Sequence, residues 1–509
     1  MRFRVHEPSN PKPPNDEPPN PRTTNPRTTN PRTTNPRTLE PPNFEPSNPR
    51  TMPTDTIVAL ATPPGIGAIG VIRLSGPQAI QIVDAVFYGK KLDKQASHTI
   101  HFGTIRDEQD HILDEVLASL FVEPRSYTGE NVVEISCHGS NYIIQELIRL
   151  FIRKGARLAQ PGEFTLRAFL NGQMDLSQAE AVADLIASSS EAAQQVAIKQ
   201  LRGGISSEIK KLRQELIDFA SLIELELDFG EEDVEFANRD QLRDLVEKLI
   251  RLMHKLLDSF QLGNAIKEGV NTVIAGRPNA GKSTLLNALL NEERAIVSEI
   301  AGTTRDTIEE SLNIQGIQFR IIDTAGIREA SDTIEAIGIQ KTLEKVRQSA
   351  VLLYIFDVIK TQPAQLEADL AQLLHPNTQL LVVANKMDLN PYTEYQHYAN
   401  PHFSAEQWIP ISAANEMNIE YLKERLYQTV VSNEVSMDAA IVSNVRHYEA
   451  LQKAKESLEA VIQGLSSAVT TDFIAMDIRH SLAYLGEITG EISTEDLLDN
   501  IFSRFCIGK

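Results

Sequence analysis

Gly276-Arg277-Pro278-Asn279-Ala280-Gly281-Lys282-Ser283 follows an apolar run over 270–275 and precedes an apolar-periodic stretch over 284–290. Strand, glycine-bounded loop and helix in that order are the context a phosphate-binding P-loop needs. The glycines let backbone N–H groups close around phosphate oxygens, and the helix N-terminus adds positive potential. Lys282 would reach the β- and γ-phosphates, and the Ser283 hydroxyl would hold Mg²⁺. Ala280, Gly281 and Thr284 complete the expected cradle.

Downstream residues read the base and the metal. Asn385-Lys386-Met387-Asp388 follows a second apolar run, 380–384. A carboxylate at Asp388 can accept from the N1–H and exocyclic amine of guanine. Adenine would leave that carboxylate unpaired, which is costly. Ser412-Ala413 follows a strand-like 408–411 and is expected to brace the base through backbone groups. Asp323-Thr324-Ala325-Gly326 ends an apparent strand over 319–322, its aspartate suited to Mg²⁺ and its glycine N–H to the γ-phosphate. Thr303-Thr304 lies in a Gly-Thr-Thr-Arg-Asp loop where a switch threonine completes the Mg²⁺ shell. Together these predict a GTP site. Ile327 stands where a Ras-type site keeps the glutamine that orients water, so that help must come from elsewhere. The Asn279 amide could hold a monovalent cation against the phosphates and stabilise charge developing there. It reads equally well as a tolerated polar loop residue.

The chain has 509 residues, 41% apolar and 23% charged, enough for about three domains with real cores. A nucleotide domain over 267–432 leaves much of it unexplained. The net charge of −20 argues against a broadly basic nucleic-acid surface, so any such contact is local or shared. Two cysteines, Cys137 and Cys506, imply neither a disulfide framework nor a metal cluster. No run approaches the roughly 18 apolar residues of a membrane span. Residues 1–51 repeat Asn-Pro-Arg-Thr from Asn20, Asn25, Asn30, Asn35 and Asn48. Such sequence cannot build a core, and is expected to be a disordered tail or untranslated sequence ahead of a start at Met52.

The flanks differ in texture. Residues 52–171 read as a small α+β domain, with strands over 57–61, 69–74, 116–122 and 132–136 and helices over 79–87 and 142–153. Cys137-His138 sits at a strand end, where neighbours face apart, so a packed thiol and a loop histidine are expected. Helical periodicity fills 176–227, interrupted once at Gly203-Gly204, and resumes over 240–260, 443–463, 472–485 and 494–502. The economical arrangement is one helical domain, 172–266 with 433–509, into which the nucleotide domain is inserted. The acidic run 224–235 reads as a solvated helix end.

Across 52–509 the chain resembles the MnmE (TrmE) family of tRNA modification GTPases. The residues that carry the likeness are Asp55-Thr56-Ile57-Val58-Ala59, Ala61-Thr62-Pro63-Pro64-Gly65, Ser126-Tyr127-Thr128-Gly129-Glu130, Pro161-Gly162-Glu163-Phe164, Ala168-Phe169-Leu170-Asn171-Gly172, Asp175-Leu176-Ser177-Gln178-Ala179-Glu180-Ala181, the P-loop with Asn279, Asp323 to Arg328, and Cys506-Ile507-Gly508-Lys509. The resemblance implies a multidomain α/β fold: an N-terminal α+β tetrahydrofolate-binding and dimerisation domain, an all-α helical domain, and an inserted P-loop, Ras-like GTPase domain. It implies a bacterial, cytoplasmic, K⁺-stimulated GTPase acting as a homodimer with the flavoprotein MnmG (GidA) in a heterotetramer, with no membrane association. Together they would add an aminomethyl or carboxymethylaminomethyl group to C5 of the tRNA wobble uridine. The implied one-carbon donor is 5-formyl- or 5,10-methylene-tetrahydrofolate, held by Arg73, Glu130 and Lys509. Gln173 stands where the family usually has a lysine. The implied K⁺ ligands are Asn279, Ser298, Ile300 and Thr303, the middle two through the backbone. Glu335 matches the glutamate that positions the attacking water, although its sequence context alone suggests a solvated helix residue. Cys506 matches a terminal cysteine suspected of a chemical role. A regulatory GTPase switch in ribosome assembly is the alternative, against which the two flanks argue.

Overall fold

The structure is a computed structural model; it describes residues 55–228, 239–290, 309–323, 346, 349–376, 378–431, 440–467 and 470–509. The low-complexity segment 1–51 lies outside them.

Alternating apolar residues build the first sheet. Its strands are β1 (Ile57–Leu60), β2 (Ile69–Ser75), β3 (Phe87–Tyr88), β4 (Thr99–Arg106), β5 (Ile112–Phe121), β6 (Val132–His138) and β7 (Arg157–Leu158), in the order β3-β4-β5-β6-β2-β1-β7. Helix α1 (Ala79–Asp84) follows β2, α2 (Asn141–Arg153) follows β6, and α3 (Glu163–Leu170) follows β7. Side chains two apart share a face. Ile72, Leu74, Val116, Leu120, Val133 and Ile135 are therefore all buried on one side, beneath Ile144, Leu147, Leu150 and Phe151 of α2. The other side carries Arg73 and Glu134 and an exposed apolar group, Ile69, Ile100, Phe102 and Leu117, with Phe102 paired directly with Leu117. The helix expected over 79–87 stops at Asp84. The Asp84 carboxylate turns to accept from Leu92 N–H at 2.7 Å, and Phe87 pairs with Ile105 as a strand residue instead.

The helical stretch is α4 (Leu176–Ala187), α5 (Glu191–Leu201), α6 (Gly204–Asp228), α7 (Arg239–Asp258) and α8 (Phe260–Glu268). Asp175 and Gln178 form a capping box that starts α4. Besides the expected break before Gly204 there is a second at Ser188-Ser189-Ser190. There the Ser190 hydroxyl accepts from Ala193 N–H at 3.2 Å and starts α5. The acidic run 224–235 lies outside the described side chains.

The second sheet comprises β8 (Val270–Ala275), β9 (Glu309–Ile314), β10 (Ile317–Asp323), β11 (Val351–Asp357), β12 (Gln379–Asn385) and β13 (Trp408–Pro410), ordered β13-β12-β11-β8-β10-β9. Every pair but β9–β10 is parallel. Helices α9 (Lys282–Leu290), α10 (Pro363–Leu373) and α11 (Ile419–Val430) accompany it. All seven residues of β11 are buried, as a central strand covered on both faces requires. The order reverses between β8 and β11, so their carboxyl ends form the crevice where such sheets bind ligands.

The chain then returns to helix: α12 (Val445–Ser466), α13 (Thr471–Thr489) and α14 (Glu495–Phe502). Leu212, Leu216, Leu249 and Met253, from before the second sheet, share one core with Leu451, Leu458, Ile478 and Leu485, from after it. The two connections are stapled together. Val442 N–H donates to Ser259 Oγ at 3.0 Å, and Gln200 Nε2 donates to Ser443 Oγ at 2.9 Å. Among the described residues no helix is long and apolar enough to cross a membrane.

Candidate functional site

The P-loop leaves the carboxyl end of β8 with backbone angles its residues were chosen for. Gly276 and Gly281 have φ of 156° and 102°. A Cβ on Gly276 would lie 2.1 Å from Ile355 O, and one on Gly281 2.3 Å from Asn385 Nδ2. Asn279 has φ of 62°, a region where asparagine is the best tolerated of the side-chain-bearing residues. Backbone geometry alone thus accounts for an asparagine there, and its exposed side chain stays available to a ligand. Lys282 Nζ donates to Gly276 O at 2.7 Å and Arg277 O at 3.1 Å, folding the ammonium over the loop. Ser283 and Thr284 open α9 and are exposed.

Three anchors fix this loop. Arg277 donates to both oxygens of Asp369 on α10, at 2.7 and 2.9 Å, and the Tyr354 hydroxyl donates to the same carboxylate. Burial raises the Asp369 pKa, but Arg277 and Tyr354 outweigh it and hold the carboxyl below its ordinary range. Asn385 Nδ2 donates to Ala280 O at 2.8 Å, while Asn385 Oδ1 accepts from Ala413 N–H at 2.9 Å. Lys386 Nζ donates to Asp357 Oδ2 at 2.7 Å and Asn279 O at 3.2 Å. Ser412 Oγ donates to Asp388 Oδ1 at 2.7 Å, aiming an otherwise exposed carboxylate. Thus Ser412 braces Asp388 and Ala413 braces Asn385. Asp323 ends β10 opposite Ile274, beside the loop. Ser298, Ile300, Thr303, Thr304, Thr324, Ala325, Gly326 and Glu335 lie outside the described residues.

Sequence reasoning passed over Asp357, Tyr354 and Asp369. The first had a signal: the unbroken apolar run 351–356 ends in an aspartate, between the Asp323 and Asn385 motifs. Asp369 carried none, because an aspartate on an amphipathic helix looks like any solvated residue.

A second charged site lies on the outer face of the first sheet. Arg73 pairs with Glu134 across β2 and β6 at 2.8 Å and donates to Gly508 O at 3.4 Å. Its guanidinium lies 5.4 Å from the Tyr127 ring centre and 5.7 Å from that of Phe164. Burial and Arg73 push the Lys509 ammonium pKa down. Two residues along the same face of β2, the Ser75 hydroxyl donates to Glu130 at 2.6 Å. Glu130 also accepts from Arg167 Nη1 at 3.2 Å. Gln173 packs against Gly129, whose Cβ would stand 2.9 Å from its Nε2. The four expected residues therefore lie in one row: Gln173 and Glu130 at one end, Arg73 and Lys509 at the other. Carboxylate, cations and the half-buried Tyr127 face suit a ligand with a ring that donates N–H and an anionic tail. The tail residue Ile507 bridges Pro161, and Gly508, at φ of 98°, packs its Cα against Leu60 O. Cys506 is exposed. Cys137 and His138 face apart as expected. The thiol is buried, where burial and Asp114 push it up to about 11, while His138 Nδ1 lies 2.7 Å from Asp114.

Comparison with known proteins gives the family. The family model described as MnmE helical domain matches residues 176–506, and that described as GTP-binding protein TrmE N-terminus matches 56–173. The chain is 57% identical over 456 residues to the tRNA modification GTPase MnmE of Cytophaga hutchinsonii, spanning 90% of this chain and 98% of that one. It is 54% identical over 472 residues to the tRNA modification GTPase MnmE of Christiangramia forsetii, spanning 89% and 99%. Among solved structures, Aquifex aeolicus Era bound to GDP and aluminium fluoride is 26% identical with a TM-score of 0.26, over 37% of this chain and 66% of that one. A P-loop and guanine-reading motif on the second sheet, inside the MnmE helical-domain match and after the TrmE N-terminus match, together with relatives more than 50% identical over most of the chain, make this chain a member of the MnmE (TrmE) family of tRNA modification GTPases, an enzyme that hydrolyses GTP in tRNA modification.

Proposed function

We propose that this GTPase is stimulated by K⁺ and works as a homodimer with the flavoprotein MnmG (GidA). Together they install aminomethyl or carboxymethylaminomethyl groups at C5 of the tRNA wobble uridine. A tetrahydrofolate derivative, 5-formyl or 5,10-methylene, donates the one-carbon unit.

The row Gln173–Glu130–Arg73–Lys509 carries this reading. Glu130 would accept from pterin N–H groups, and Arg73 and Lys509 would meet the glutamate carboxylates. Tyr127, half-buried beside Arg73, offers a face for the ring between, and the buried Phe164 backs the Arg73 guanidinium. When bound, the methylene folate would supply the one-carbon unit at the formaldehyde level, and the formyl form would need two further electrons, which the flavoprotein could provide. Gln173 replaces a cation by a neutral amide, so one charge contact is exchanged for a hydrogen bond. Support for the dimer is the exposed apolar group on the same sheet, Ile100, Phe102 and Leu117, which a second copy would cover. For the GTPase, Ser283 would hold Mg²⁺ with Thr304, and Asp323 would act through its shell. K⁺ on Asn279, Ser298, Ile300 and Thr303 would neutralise charge developing on the β/γ bridge. Glu335 would position the attacking water, a task Ile327 cannot perform.

The test is mass spectrometry of digested tRNA from cells lacking this gene against the parent. The modified wobble uridines should vanish and return on complementation from Met52. Unchanged wobble uridines in the deletion strain would sink the proposal.

A further inference from the structure

Lys509, at one end of that row, also lines a cavity of about 520 Å³. That lies within the roughly 300–1,000 Å³ of ligand pockets. It is walled by α4, α14, the end of α8 and the start of α12. Its lining is mixed in a particular way. Ala183, Ile186, Leu497, Ile501 and Phe505 make apolar walls, and charged heads stand among them. Two of the cations are already matched. Lys267 pairs with Asp184 at 2.9 Å, and Arg446 pairs with Glu180 at 2.7 Å. Two are not. Arg504 donates to the Asn500 amide oxygen at 2.9 Å, and among the described residues neither it nor Lys509 has a carboxylate within ion-pair distance. Lys509 is shared: it lines the cavity and also sits beside Arg73 and Glu134.

We propose that this cavity receives the γ-linked oligoglutamate tail of a polyglutamylated folate, its carboxylates taken by Lys509 and then Arg504. The inference rests on the folate reading above and adds the form of folate used. Each γ-glutamyl unit is two methylenes, an amide and one carboxylate. That composition matches apolar walls with cations spaced along them better than it matches a single anion or a neutral ring. With the ring at Glu130 and the first carboxylate at Arg73, the tail has only to continue along Lys509 into the space beyond. The matched pairs Lys267–Asp184 and Arg446–Glu180 are each neutral, and the remaining carboxylate of the wall, Glu268 at the end of α8, stands against the two cations Lys509 and Arg504.

The experiment is equilibrium binding of 5-formyl-tetrahydrofolate carrying one, three or five glutamates to the full chain and to Arg504→Gln. Arg504 is exposed and makes one local hydrogen bond, so the variant should fold. The pentaglutamate should bind wild type about tenfold more tightly than the monoglutamate, a ratio set by the added charge contacts. Arg504→Gln should bring that ratio within about threefold while leaving monoglutamate affinity unchanged, and Arg504→Lys should restore part of it. Equal affinities in wild type, or an unchanged ratio in Arg504→Gln, would overturn the proposal. If Arg504→Gln weakens tRNA binding with the ratio intact, the cavity serves RNA phosphates and the proposal is again overturned. If no form binds wild type, the folate reading itself fails and takes this inference with it.

Discussion

Replacing Gly281 by alanine should separate the P-loop from the guanine-reading loop. At φ of 102° a side chain costs on the order of 1–3 kcal/mol in backbone strain. The new Cβ would also stand 2.3 Å from Asn385 Nδ2, so the amide must leave. It then loses Ala280 O, now at 2.8 Å, and Ala413 N–H, now at 2.9 Å. Each buried hydrogen bond left unmade costs about 1–3 kcal/mol. The amide's share alone, about 2–6 kcal/mol, falls on the pocket and predicts roughly 30- to 20,000-fold weaker GDP binding. Gly172 is the control. Its φ is 69°, and a Cβ there meets nothing within 4 Å. Gly172→Ala should therefore cost about 1 kcal/mol of stability and leave GDP affinity intact. Fluorescence titration with a labelled GDP and urea unfolding of the same proteins measure the two quantities. If Gly281→Ala binds GDP within about threefold of wild type, the amide is not held as described and the reasoning fails.

Three further outcomes follow from the geometry. Asn279→Gly keeps the left-handed backbone and removes only the amide, so GTPase activity in Na⁺ should be unchanged while K⁺ stimulation is lost. Retained stimulation would mean the asparagine serves the loop's conformation alone. At Glu180, burial raises the pKa but His447 and Arg446 pull it down to about 2. Its contribution to stability is therefore present above the ordinary carboxyl value near 4.5 and is lost as pH falls toward about 2. Glu180→Gln should destabilise the chain at neutral pH by roughly 3 kcal/mol and flatten the acid limb of its stability curve; an unaltered acid limb would place the titration elsewhere. Iodoacetamide at pH 8 should label Cys506 and spare the buried Cys137, whose pKa stands at about 11; peptide mapping that finds Cys137 modified in native protein would contradict its burial.

What the sequence revealed was whatever repeats locally or follows fixed spacing. The run 270–275 is β8 to the residue, and the loop after it bends at the glycines, with Gly276 and Gly281 at positive φ. The amphipathic periods of α2, α7 and α12 are equally plain. Helix ends were harder, because tertiary partners decide them. Phe87 pairs with Ile105 rather than extending α1, and three serines divide what reads as continuous helix. Least legible were contacts between distant residues of ordinary type. Nothing near Arg277 announces that Asp369 and Tyr354 will hold it. The row from Gln173 to Lys509 joins positions from four parts of the chain, and only the family resemblance assembled it beforehand.

The shared core of α6, α7, α12 and α13 carries a consequence for biosynthesis. Leu212, Leu216, Leu249 and Met253 are finished with only half their partners. Leu451, Leu458, Ile478 and Leu485 arrive only after the whole second sheet has left the ribosome. At roughly 5–20 residues per second that wait is about 10–35 s. Throughout it two amphipathic helices present apolar stripes to water beside a sheet domain able to fold first. Nascent chains stalled between residues 290 and 440 should therefore engage hydrophobic-segment chaperones, and release them once α13 has emerged.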